Sequence, residues 1–259
     1  MKAISLGMLL LVLAVSSSSA AVFSTSFEAD EGYTLGDVSG QKSWAGTKTY
    51  NSIVADNAYE GEWALKTTDR SNVATHTFID YDFGSQVSFS VAFIPASFTG
   101  TTNKYASAAS VTLFGSRNLE GQFVGRADAL LYYWGNDTSK KLLLKRYENG
   151  TLVDTYVNLP SDAWNNDTWN TMTITMDFAN HTYAVALNGV VYEGASGVAI
   201  DPNAVSLETL WLYRGAINGT ERPYTLWDNI EVDAVPEPGT MALMAIGTMF
   251  WLRQNSRMN

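Results

Sequence analysis

The chain has 259 residues, no cysteine, and 26 acidic against 16 basic residues, for a formal charge of −10. That balance makes nucleic acid and anionic lipid surfaces poor partners. The missing cysteines exclude a disulfide framework, so packing, or a bound metal, must hold the fold.

The N-terminus opens with Lys2, continues through an apolar stretch over 4–15, and reaches the small residues Ser18, Ser19 and Ala20. This order predicts a signal peptide over 1–20, removed by signal peptidase so that the mature chain begins at Ala21. One domain is then expected over 21–233. The excluded ends hold Lys2, Arg253 and Arg257 against Glu237, so this core is two charges more acidic than the whole, at −12.

Inside the core the pattern is nearly all strand. Strands are predicted over 21–27, 63–67, 74–82, 86–94, 109–114, 130–134, 142–147, 152–157, 172–178, 183–187, 190–192, 207–213 and 224–232, with period-two alternation plainest at 172–178. Asn149-Gly150 and Asn188-Gly189 join consecutive strands. Asn-Gly suits a two-residue type I′ turn, which needs positive φ at both positions. No sustained helical stripe precedes the tail. Many short strands with frequent turn signals predict an all-β antiparallel sandwich.

The tail, 234–259, begins with Val235-Pro236-Glu237-Pro238-Gly239-Thr240. The two prolines fix φ and withhold backbone donors, which predicts an extended spacer. An apolar run over 241–252 reads as a short helix, and Arg253 and Arg257 follow it. That run falls short of the roughly 20 residues that span a bilayer. The order of spacer, helix and arginine resembles the PEP-CTERM sorting signal of Gram-negative bacteria. The resemblance implies an exosortase as partner, delivery to the cell surface or extracellular matrix, and transient or weak anchoring by the tail helix.

A second resemblance covers most of 23–232. It is carried by Phe27-Glu28-Ala-Asp30-Glu-Gly32-Tyr33, Gly40-Gln41-x-x-Trp44, Trp169-Asn-x-Met-x-Ile-x-Met-Asp177 and Trp227-Asp228-Asn229-Ile230-Glu231-Val232. These stretches are similar to concanavalin A-like, LamG-type jelly rolls of exported bacterial proteins. In that family the first and last strands pair at one edge, which would bring Glu28 towards Asp228 and Asn229. The resemblance therefore implies a structural calcium at Glu28, Asp228 and Asn229, since calcium takes six to eight oxygen ligands.

Retaining glucanases of the family carry Glu-x-Asp-x-x-Glu, which sets two carboxylates about 5 Å apart. The motif does not occur here: Glu28-Ala-Asp30-Glu31, Glu60-Gly-Glu62 and Asp80-Tyr-Asp82 each lack a member. His76 and His181 are the only imidazoles, and nothing pairs either with an Arg or Asn set suited to a lyase. Aromatics are abundant by contrast. Alternation puts Tyr132 with Trp134, and Trp211 with Tyr213, on single strand faces. Rings stack on sugar C–H groups and a nearby cation fixes hydroxyls, so Trp134, Trp211, Tyr213 and Arg214 form the expected carbohydrate-binding patch, with core packing as the other role open to each ring. The expected function is a non-catalytic, glycan-associated surface protein, with an exopolysaccharide as partner. The alternatives are a divergent glycoside hydrolase or polysaccharide lyase, and a purely adhesive module.

Overall fold

The computed structural model describes residues 22–235 apart from 48, 70, 71, 79, 80, 82, 99–104, 117–122, 135–138, 215–219 and 223. The expected signal peptide, the Pro236-Glu237-Pro238 spacer and the expected tail helix lie outside the described residues.

The described residues form nineteen strands. In the first half these are β1 (Phe23–Thr25), β2 (Gly36–Asp37), β3 (Trp44–Ala45), β4 (Asn51–Val54), β5 (Ala64–Thr67), β6 (Ala74–Thr77), β7 (Gln86–Ile94), β8 (Ser97–Phe98) and β9 (Tyr105–Gly115). The second half supplies β10 (Arg126–Trp134), β11 (Ser139–Glu148), β12 (Thr151–Leu159), β13 (Asn170–Asp177), β14 (Thr182–Leu187), β15 (Val190–Val191), β16 (Val198–Ala199), β17 (Leu207–Tyr213), β18 (Thr220–Arg222) and β19 (Thr225–Ala234). Two antiparallel sheets pack as a sandwich. One runs β15-β14-β13-β7-β19-β5-β4-β2, with β1 and β16 at its sides, and the other runs β12-β11-β10-β9-β17-β6-β3. No helix of the described residues is long and apolar enough to cross a membrane.

Alternation explains which side chains fill the space between the sheets. In β13 the residues Met172, Ile174 and Met176 are buried while the threonines between them are half-buried. Facing them from the second sheet are Val111 and Leu113 of β9, Leu142 and Leu144 of β11, and Leu210 and Leu212 of β17, all buried. The hairpins follow the turn chemistry read in the sequence: Asn149 and Gly150 take φ of 49° and 82°, Asn188 and Gly189 of 49° and 77°. Tyr183 crosses from β14 to the other sheet, where its hydroxyl accepts from the Lys145 amide at 3.0 Å and lies within hydrogen-bond reach of the Lys145 and Asp128 carbonyls. A buried Tyr needs such a partner.

The first and last strands do pair, with Phe23, Ser24 and Thr25 opposite Val232, Glu231 and Ile230. The expected edge position is corrected, however. β19 lies inside its sheet, with β7 along one side and the other side shared between β5 at 225–227 and β1 at 230–232. The hand-over falls at a bulge between Asp228 and Glu231, where Asn229 takes φ of 44°. Bulges re-aim side chains, and Asp228 is thereby turned into the gap between β5 and β1.

Candidate functional site

The outer face of the seven-stranded sheet brings together the largest group of aromatic and paired charged side chains. β9, β10 and β17 are neighbours, with Asp128 and Trp211 both opposite Thr112, and Tyr213 opposite Ser110. Residues two apart on a strand share a face, so Phe114, Arg126, Asp128, Tyr132, Trp211 and Tyr213 all project from this side. The Trp211 ring meets Phe114 edge-on with centroids 4.5 Å apart, and Phe123 leans on Phe114 at 4.6 Å. Arg126 caps the Phe114 ring at 5.5 Å. Trp211, Tyr213 and Tyr132 are half-buried, leaving part of each ring in solvent.

A charge pair sits beneath these rings. Asp128 is fully buried; it accepts hydrogen bonds from Thr112 Oγ1 and from Arg126 Nη2 at 2.9 Å. Arg126 Nε lies 2.5 Å from Asp128 Oδ2 but off the hydrogen-bond axis, so this second contact is ionic rather than directional. Burial, the Asp128 charge and the neighbouring phenols push Tyr132 up to about 12, and burial with Asp128 raises Tyr213. Both phenols therefore stay protonated at neutral pH, able to donate and accept. A bulge in β9 leaves Ala108 unopposed beside Tyr132, and its carbonyl is satisfied across the sandwich by Ala96 N–H and Thr225 Oγ1.

Of the residues expected to bind sugar, Trp211 and Tyr213 are brought together on this face. Trp134 closes β10, its backbone paired with Ser139 and Tyr105, while its side chain lies outside the described residues. Arg214 falls on the opposite side of β17 by alternation; it is buried, and the charge acting on it is Asp69, two residues beyond β5 in the other sheet. The arginine on the face of Trp211 and Tyr213 is Arg126. Arg126 and Asp128, opposite charges two apart in a strand, were the sequence signal for this pair.

The expected calcium residues meet one another but are differently employed. Glu28 Oε1 accepts from the amides of Glu62 and Trp63, both at 2.9 Å. Asp228 Oδ2 accepts from the amides of Tyr59 and Glu60 at 2.7 and 3.1 Å, and Oδ1 from Asn229 N–H. Burial raises Asp228 to about 6 despite these amides, and Glu28 adds to the rise. A cation here would compete with these amides for Glu28 Oε1 and both Asp228 oxygens, and no group of three His, Cys, Asp or Glu suited to a metal occurs among the described residues. The two carboxylates clamp the 59–63 loop onto the strand junction.

Buried tryptophans account for the core role left open in the sequence. Trp44, Trp164 and Trp227 are enclosed, Trp227 donating to Thr67 Oγ1 at 2.9 Å and Trp44 to the Tyr33 hydroxyl at 3.1 Å.

Comparison with known proteins bears on the two ends of this description separately. Residues 234–257 match the PEP-CTERM protein-sorting motif. The chain therefore carries an export and cell-surface sorting signal of the type handled by exosortases. No curated protein matches the chain in sequence. Among solved structures, the fold is similar to a conserved carbohydrate esterase from Shiga toxin-encoding bacteriophage phi24B, at 12% identity and a TM-score of 0.50, over 84% of this chain and 100% of that one. It is also similar to the CBM22-1 xylan-binding domain of Paenibacillus barcinonensis Xyn10C, at 14% identity and 0.43, over 85% and 97%. The globular domain of T. cruzi calreticulin aligns at 9% identity and 0.48, over 90% and 95%. At such identities the likeness concerns the antiparallel β-sandwich fold and nothing finer.

Proposed function

We propose that this exported sandwich is a non-catalytic glycan-binding surface protein, and that polysaccharide docks on the outer face of the seven-stranded sheet. The observation carrying the proposal is the Trp211–Phe114–Phe123 row beside the enclosed Arg126–Asp128 pair. The half-buried rings of Trp211 and Phe123, backed by the buried Phe114, offer stacking area at little entropic cost, and the Tyr132 phenol offers a donor and acceptor for hydroxyls. Asp128 is fully enclosed and held by Arg126 and Thr112, a position suited to fixing the face rather than to passing a proton to a substrate. Export to the cell surface through the sorting motif supports this reading, and an exopolysaccharide is the partner we assign. Binding of the purified chain to a polysaccharide panel, by calorimetry, tests the proposal, with Trp211→Ala reducing affinity while circular dichroism stays native. Reducing sugars or unsaturated uronates released by the wild-type chain would turn the assignment towards a hydrolase or lyase.

A further inference from the structure

A second site lies at the end of the sandwich, away from the sheet face. There β1, the 31–43 segment and β6 enclose a cleft of about 810 Å³. His76 forms part of its wall. The imidazole is 3% exposed and packs against Phe23, Trp44 and Phe78, with ring centroids 4.6 to 5.0 Å away. Its Nδ1 has no hydrogen-bond partner. A buried polar atom left unpaired costs of order 1–3 kcal/mol, and in a cleft wall it is a group that a bound ligand could satisfy.

The turn over the cleft gives the second, independent observation. Trp44 N–H bonds to the Gln41 carbonyl at 2.8 Å, and the two residues between, Lys42 and Ser43, take φ of 47° and 65°. Positive φ at both central residues is the type I′ arrangement. At its other two such turns this chain places Asn-Gly, at 149–150 and 188–189. Here it places two residues that carry a cost in the left-handed region, and strain of this kind collects at ligand clamps. Both side chains line the cleft and are exposed. Among the described residues Lys42 pairs with no carboxylate. The Lys42 side chain lies over Gly32, where a Cβ would come within 3.1 Å of both its Cε and its Nζ.

Glu31 and Tyr33, the other ionisable groups behind Lys42, are engaged within the protein. Glu31, the carboxylate of the cleft, accepts from Thr25 Oγ1 at 2.8 Å and from the Ser26 amide and hydroxyl at 3.1 Å. The Tyr33 hydroxyl accepts from Trp44. What is left unspent is an ammonium, a hydroxyl and an imidazole nitrogen, a donor-rich set. Tyr81 stands beside them 40% exposed, its ring stacked on Phe83 with only 12° between the planes. From this geometry we infer that the cleft binds a carboxylated sugar residue: Lys42 and Ser43 engage the carboxylate, Tyr81 stacks on the ring, and His76 completes its hydrogen bonding on the ligand. This site is independent of the sheet face, and a chain holding glycan at both places gains avidity through linked binding.

The test uses the full chain and trigalacturonate as probe, at about 0.15 M salt so that the protein's overall acidity is screened. Lys42→Gln should weaken binding about tenfold or more, since a charge-assisted hydrogen bond is lost. The methyl-esterified trimer should bind as weakly to the wild type. The double change Lys42→Asn with Ser43→Gly restores the turn chemistry used elsewhere in the chain, so it should raise the melting temperature by about 2–4 °C or more while abolishing binding. Lys42→Gln should leave the binding of a neutral polysaccharide on the sheet face unchanged, which separates the cleft from that face. No binding of trigalacturonate by the wild type, equal binding of acid and ester, or undiminished affinity in either Lys42 variant would each overturn the inference.

Discussion

Two buried ionisable groups are expected to give this domain opposed pH dependences that cancel in the wild type. Burial raises Asp228 from 3.8 to about 6. The unfolded chain then ionises first, so the stability linked to Asp228 is full below pH 3.8 and is lost as the pH rises through about 6. Burial lowers His76 from 6.5 to about 4, so its contribution is full above pH 6.5 and is lost as the pH falls through about 4. One pKa unit corresponds to about 1.4 kcal/mol, and each group thus controls about 3 kcal/mol. Between pH 4 and 6 the slopes oppose one another, and wild-type stability should change little beyond a small fall from Glu231, which burial also raises. His76→Phe keeps ring contacts with Phe23, Trp44 and Phe78 and removes the rising branch, so its stability should fall by about 3 kcal/mol across that interval. Asp228→Asn removes the falling branch, and its stability should climb with pH instead. Urea unfolding followed by tryptophan fluorescence at half-unit pH steps measures all three profiles. Three superimposable profiles would refute the reasoning.

Replacing Glu28 with Ala frees the amides of Glu62 and Trp63, and should cost about 1–3 kcal/mol while making the 59–63 loop the first site of proteolysis. Gly61→Ala should destabilise by at least about 1 kcal/mol, because φ there is +71° and the new Cβ would lie 2.3 Å from Glu28 Oε1. Since backbone amides compete for Glu28 Oε1 and both Asp228 oxygens, the melting temperature should be the same in millimolar calcium and in chelator; a rise in calcium would show that a cation displaces them. For the tail, mass spectrometry of the surface-released protein should find a C-terminus near Pro238, and an intact Asn259 would contradict processing at the sorting motif.

Local physics was the most legible part of the sequence. The bounds of β7 emerge from alternation, and the Asn-Gly turns from the need for positive φ. The strands β2, β3, β4, β8, β16 and β18, two to four residues each, are too short to show a period and depend on partners far along the chain. The reading of 74–82 as one strand ran past the end of β6 at Thr77, because Phe78, Tyr81 and Phe83 look like strand residues while they build an aromatic cluster. At the sheet face, period two correctly put Trp211 and Tyr213 on one side of their strand, whereas Arg214, grouped with them by proximity in sequence, lies on the other side. The Lys42-Ser43 turn carries no sequence mark, because its conformation contradicts local preference.

The central claim is that the Trp211 face holds glycan without cleaving it. Calorimetric titration of the full chain with its best polysaccharide from the panel, compared between wild type and Trp211→Ala, tests this most directly. A stacked ring contributes about 0.5–1.5 kcal/mol or more, so affinity should fall roughly threefold to tenfold with an unchanged circular dichroism spectrum and no new reducing ends. Equal affinity in a folded Trp211→Ala protein would contradict the account.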